Sequence, residues 1–184
     1  MRKLGHTLKL YNCPREVFLD AMTTHKEDAF ANTFVAKADM LAAWDRCIGV
    51  FVEGVLCAAI ITTISKTNPR VANLQLLHTF YMHRGSGAAR KLCEAALVES
   101  RSAGAEYFRV SSEPSAVGFY EKLGFHFWGK QKSGCSLSVF KFSDAGHIYD
   151  DKDPVIHRAL YSGRKGALAC SYTTHEPSTL NHDA

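Results

Sequence analysis

Arg84, Gly85, Ser86 and Gly87 stand directly after an apolar run and directly before a stretch rich in Ala, Leu, Lys and Glu. A strand feeding through such a turn into a helix presents several backbone N–H groups and the positive end of the helix dipole at one point. That arrangement suits a phosphate or pyrophosphate. Glycine is wanted there because a Cβ would hold the anion away from the amides. The GxxxxGK[ST] of a P-loop is absent, and the GxGxxG of a dinucleotide fold fails after its second glycine. Taken alone, Arg-Gly-x-Gly also fits a plain strand-to-helix turn.

The elements around this turn must aim it. "VANLQLLHTFY" (71–81) reads as the strand that enters it, and Gly87 to about Ala103 as the helix that leaves it, with Gly104 placed as terminator. Upstream, "TLKLY" alternates like a strand, and Asn12 with Pro14 opens a helix over "REVFLDAMTTH". A second helix is expected over "KADMLAAWDRC" (37–47). Downstream, "EYFRVSS" is a strand, Pro114 starts a short helix over "SAVGFYEKL" closed by Gly124, and "FHFWG" and "CSLSVFKF" are strands joined across "KQKSG". Residues 47–64, "CIGVFVEGVLCAAIITTI", approach the length of a membrane span. Glu53 and Gly54 interrupt them, and the Val, Ile, Phe and Thr content favours a buried hairpin.

At 184 residues, 46% hydrophobic and 22% charged, the chain has the size and balance of a single soluble domain with an extension. A net charge of +4 suits anionic ligands but falls short of a dedicated nucleic-acid binder. The six cysteines, at 13, 47, 57, 93, 135 and 170, form no CxxC and follow no apolar leader, so reduced thiols and a cytoplasmic location are expected. After Phe142 the sequence turns polar, and His147, His157, His175 and His182 lack metal-ligand spacing. No metal is expected.

Two motifs together resemble those of the GCN5-related N-acetyltransferases. Arg84-x-x-Gly87-x-Ala89 is similar to that family's (Q/R)xxGx(G/A) signature, and "AVGFYEKLGF" (116–125) to its second hallmark. The element order over residues 7–142 is similar too. The resemblance implies an α/β (α+β) fold, a mixed central sheet of about seven strands flanked by about four helices. Residues 1–142 would form the catalytic domain and 143–184 a polar C-terminal extension.

By the same resemblance, Leu77, His78 and Thr79 would offer backbone groups to the pantetheine arm of acetyl-CoA. Arg84, Gly85, Ser86, Gly87, Ala88 and Ala89, with Arg90 nearby, would cradle its pyrophosphate. Tyr120 matches the tyrosine that protonates the departing thiolate, a role a phenol can fill. Without that role it would be a core aromatic, as Phe119, Leu123 and Phe125 are expected to be. Where family members often carry a glutamate base, this chain has Asn73 and Gln75, which accept no proton near neutrality. His78 is the nearest titratable residue and so the expected base, although a strand histidine also fits simple packing. Glu113 replaces the family's usual asparagine.

The expected activity is acetyl transfer from acetyl-CoA to a primary amine within a ternary complex. The acceptor is a small molecule, a protein amine or a nucleic-acid-linked amine, the last suggested by Arg158, Arg164 and Lys165 around Tyr161 in the extension. That extension would pack over the acceptor cleft or a second subunit, making a homodimer one expected assembly. The alternative is a non-catalytic acyl-CoA-binding sensor, motivated by Asn73 and Gln75.

Overall fold

The computed structural model describes residues 7–25, 29–66, 68–131 and 133–142. In chain order these form β1 (Lys9–Asn12), α1 (Arg15–Thr24), α2 (Ala29–Leu41), β2 (Cys47–Val52), β3 (Val55–Ile64), β4 (Val71–Thr79), α3 (Ala88–Ser102), β5 (Tyr107–Ser112), α4 (Val117–Glu121), β6 (His126–Lys130) and β7 (Ser136–Lys141). The seven strands make one sheet in the order β1-β2-β3-β4-β5-β7-β6. Every neighbouring pair is antiparallel except β4 and β5. A parallel pair needs a long crossover, and α3 supplies it. The expected seven strands and four helices are all present.

Residues 47–64 form the β2–β3 hairpin. Val52 pairs with Val55 across Glu53 and Gly54, whose φ angles are +51° and +83°. Two left-handed residues in a two-residue loop give the turn whose twist matches the flanking strands. Among the described residues no helix is long and apolar enough to cross a membrane.

The second helix departs from expectation. It begins at Ala29 rather than near Lys37 and ends at Leu41, while Trp44–Arg46 is a short 3₁₀ turn and Cys47 already belongs to β2. Asn, Thr and Phe in "AFANTF" are mediocre helix formers, which hides this start from a propensity argument. What holds the helix is burial of Ala31, Phe34 and Ala38, which share one face at helical spacing. Its end is set by Ala42, which turns at φ +47°, and by Asp39. Arg15 Nε donates to Asp39 Oδ1 at 2.9 Å and Trp44 Nε1 donates to the same oxygen at 2.7 Å, tying the start of α1 to the end of α2.

The sheet has two faces with different cover. On the first lies the larger core, in which Ala88, Leu92, Cys93 and Ala96 of α3 and Tyr120 of α4 meet Ile60, Leu74, Phe108 and Val110. On the second, Phe18 and Phe34 from α1 and α2 pack over Ala59, Ile61 and Phe80. Phe18 and Phe34 stack with ring centroids 4.5 Å apart.

Candidate active site

Parallel pairing between β4 and β5 runs only from Val71↔Tyr107 to Leu74↔Val110. Beyond that point the strands part, and β5 continues with β7 alone through Ser111 and Ser112. The parting coincides with a bulge in β4: Ile61 pairs with Leu76 and Thr62 with Leu74, so Gln75 is the extra residue. Bulges bend a strand and re-aim its side chains, and they concentrate beside active sites. Gln75 is committed within the protein, its Nε2 donating to Thr63 Oγ1 at 2.9 Å.

The wedge so opened exposes one edge of Leu77–Thr79, whose other edge pairs with Ala58–Ile60 of β3. A strand edge left open in this way offers backbone donors and acceptors to an extended amide-bearing ligand. At the end of the wedge is the glycine turn. Gly85 and Gly87 have φ +75° and +86°, and a Cβ built on either meets nothing within 4 Å. Open space therefore stands directly above the turn. Gly87 is the N-cap of α3 and has no side chain to cap it, so the first-turn amides point outward. Ala88 N–H makes one long contact, 3.4 Å to Ser86 Oγ.

Wedge and turn together line a cleft of about 550 Å³ bounded by Leu77, His78, Thr79, Arg84, Gly85, Gly87, Ala88, Ala89 and Arg90, and also by Phe30, His83 and Phe119. Arg84 and Arg90 make it cationic, and none of the described lining residues is acidic. Arg84 lies over the Tyr81 ring at 5.4 Å and its Nε donates to Thr79 O at 3.4 Å. Arg90 Nε donates to Glu94 Oε1 at 2.9 Å in an exposed pair. Open glycine space, uncapped helix amides and two guanidiniums fit the pyrophosphate of a coenzyme A, and the open strand edge fits its pantetheine amides.

Two expected residues fall outside this lining. Ser86 turns its hydroxyl back to donate to His83 O at 2.6 Å. Tyr120 is 5% exposed within the first-face core, 5.0 Å from Phe119 and 5.5 Å from Phe125 by ring centroids. Burial, with the Cys93 thiol beside it, pushes its phenol well above the usual range. Its proton therefore stays on at neutral pH, as a donor requires. Phe119, read from sequence as core, is the α4 ring that lines the cleft.

His78 projects to the second face. Its ring lies edge-on to Phe18, Phe34 and Phe80 at 6.0, 6.3 and 4.9 Å. His83 was not singled out in the sequence, although an imidazole one residue before Arg84 was the available signal. It lines the cleft, and its ring meets His25 of the α1 terminus edge-on at 5.1 Å. Burial, reinforced by His25, lowers the His83 pKa, so its imidazole is neutral where an unperturbed histidine is part-charged. The Nε2 atoms of both His25 and His83 are buried with no hydrogen-bond partner. Among the described residues no group of three or more His, Cys, Asp or Glu side chains gathers as a metal site. The four histidines of the extension lie outside the described residues.

The fold recurs in known proteins. The acetyltransferase (GNAT) domain family model matches residues 18–141. The chain is similar in structure to the PaiA N-acetyltransferase of Thermoplasma acidophilum, solved in complex with coenzyme A: TM-score 0.58 and 13% identity over 74% of this chain and 99% of that one. It is similar as well to a GNAT family acetyltransferase of Brucella melitensis in complex with acetyl-CoA, with TM-score 0.54 and 15% identity over 75% of this chain and 90% of that one. A third similar structure is the ribosomal-protein-S18-alanine N-acetyltransferase of Escherichia coli, with TM-score 0.56 and 17% identity over 77% and 98% of the two chains. No curated protein sequence matches the chain. With the family match spanning most of its length and the wedge ending on the glycine turn, the chain belongs to the GNAT acetyltransferases, enzymes that use acetyl-CoA.

Proposed function

We propose that the protein transfers the acetyl group of acetyl-CoA to a primary amine by direct attack within a ternary complex. The observation that carries this reading is the parting of β4 from β5 beyond Leu74 and Val110, which leads straight to the glycine turn at the start of α3. The open edge of Leu77–Thr79 holds the pantetheine arm, and Arg84–Arg90 holds the pyrophosphate. The acyl carbonyl then lies in the wedge, between the two faces of the sheet.

The attacking nitrogen must first lose its ammonium proton. Asn73 and Gln75 cannot take it. The imidazoles that line the cleft can, and burial keeps His83 in the neutral, accepting form. The nitrogen bonds to the thioester carbon, its second N–H proton is lost to water, and the C–S bond breaks. The thiolate takes up a proton, for which Tyr120, held protonated by burial, is the donor on α4. Products are an N-acetyl amide and the free thiol.

The acceptor enters on the side of Phe30 and the histidines. Thiol release from acetyl-CoA across polyamines, amino acids, amino sugars, peptides and tRNA or DNA tests the proposal. Release with one acceptor class supports it and names the acceptor. A second reading, a non-catalytic acyl-CoA-binding module, draws on the placement of Tyr120 outside the cleft lining and on Asn73 and Gln75. Tight acetyl-CoA binding without release for any acceptor would favour it.

A further inference from the structure

The register of the β1–β2 pair runs Lys9↔Phe51, Leu10↔Val50, Tyr11↔Gly49 and Asn12↔Ile48. One step further along the same ladder brings Cys13 opposite Cys47. There the Cys13 N–H donates to Cys47 O at 2.8 Å, so the ladder continues through the two cysteines. Residues directly opposite in an antiparallel pair point to the same face. Both side chains accordingly enter the second-face core, among Phe18, Ala21, Leu56 and Ala59. Both are free thiols, and Cys13 lies close enough to Cys47 to raise its pKa. Opposed positions of this kind hold their Cα atoms about 4.5–5.5 Å apart, inside the range of about 4.4–6.8 Å that a disulfide spans.

The two thiols differ in access. β1 is four residues long, lies at the edge of the sheet, pairs with β2 alone and is exposed at every residue. A short edge strand with little buried surface opens locally at small cost. Its opening uncovers Cys13, which follows it directly. Cys47 stays paired with Ile61 of β3 when β1 leaves.

We infer that Cys13 and Cys47 form a disulfide site within the fold, closed by exchange with a small-molecule disulfide and reopened by thiols. In the first step the Cys13 thiolate bonds to one sulfur of the small disulfide, whose S–S bond breaks and releases one small thiol. When β1 pairs again, the Cys47 thiolate bonds to the Cys13 sulfur, the mixed disulfide breaks and the second small thiol leaves. The two protein sulfurs together give up two electrons, the small disulfide is reduced to two thiols, and the two protons of the protein thiols end on them. Because contact with Cys13 and burial hold the Cys47 proton, the second step is the slow one. The link fastens β1 to β2 at the root of α1, which begins at Arg15. None of this rests on the transferase reading.

The test uses the full chain and needs no activity, so its failure is separate from any failure of acetyl transfer. Folded protein is held in a glutathione redox buffer, quenched with acid, alkylated after denaturation, and mapped by mass spectrometry without reduction. Expected is a peptide pair joined through Cys13 and Cys47, at least about tenfold more abundant than any other cysteine pair, as fixed juxtaposition implies, and lost on adding dithiothreitol. The joined protein should melt about 5–10 °C higher, because the link closes a loop of about thirty residues. In Cys47→Ala, Cys13 should retain glutathione as a mixed disulfide, whereas in Cys13→Ala, Cys47 should stay unmodified. Mapping the parent chain keeps the test decisive where a variant fails to fold. Cys13 and Cys47 left reduced at every buffer ratio, linkage chiefly between other cysteines, a joined protein of unchanged Tm, or glutathione on Cys47 of folded Cys13→Ala would each overturn the inference.

Discussion

His83 and His25 meet edge to face, with ring centroids 5.1 Å apart and planes at 86°, so the segment leading into the glycine turn is packed against the end of α1. The pair joins the glycine-turn side of the cleft to the end of α1. Because burial depresses the His83 pKa below its ordinary 6.5, the unfolded chain takes the proton more readily than the folded one. This contribution to stability is present above pH 6.5 and is lost as the pH falls below it. Thermal melts between pH 7.5 and 5.5 should show a drop in Tm that is smaller in His83→Gln.

The same pair separates the two candidate bases. If His83 takes the amine proton, His83→Gln lowers kcat by about 10²-fold and removes the acidic limb of the pH–rate profile. His78→Gln would then change chiefly packing among Phe18, Phe34 and Phe80. The reverse pattern would assign the base to His78.

Gly87 and Gly54 give a matched comparison. Both have φ near +85°, at +86° and +83°, and a Cβ on either meets nothing within 4 Å. Replacement by alanine strains both backbones equally, by about 1–2 kcal/mol. Only Gly87→Ala also puts a methyl into the cleft, where the proposed reading seats the pyrophosphate. Its acetyl-CoA Kd should weaken by about tenfold, while Gly54→Ala, in the β2–β3 hairpin, leaves Kd unchanged. Calorimetric titration together with melts reads both effects.

Tyr120→Phe keeps the ring that packs on Phe119 and Phe125 and removes only the hydroxyl. If Tyr120 is the thiolate's proton donor, the change should lower kcat by about 10²-fold, with acetyl-CoA affinity and Tm close to those of the parent. An unchanged kcat would return Tyr120 to the role of a core aromatic and make the cleft-lining Phe119 side of α4 the place to look for the acid.

The five cysteines of the described residues are free thiols, and Cys135 alone among them is not buried. Burial pushes the Cys93 thiol up to about 12, and a contact with Cys13 together with burial raises that of Cys47 well beyond the ordinary range. Thiolates, not thiols, react. Alkylation of native protein at pH 8, read site by site by mass spectrometry, should label Cys135 first among the described cysteines and leave Cys47 and Cys93 unlabelled until unfolding.

The sequence by itself determined the strand order along the chain, the Glu53–Gly54 hairpin, and the Arg84–Ala89 turn opening α3. Each rests on local chemistry: alternation, a glycine at positive φ, helix formers after a cap. Local chemistry was insufficient for α2, whose start in "AFANTF" is stabilised by burying Ala31, Phe34 and Ala38 rather than by propensity. Only the tertiary structure decided how the pieces meet. The wedge exists because β4 pairs with β5 for four residues and then bulges at Gln75, a relation between segments more than thirty residues apart. It also turned Tyr120 inward and Phe119 toward the cleft, and brought His25 from the end of α1 to His83. Side-chain direction and ring contacts of this kind follow from packing across the sheet, which no single stretch of the sequence carries.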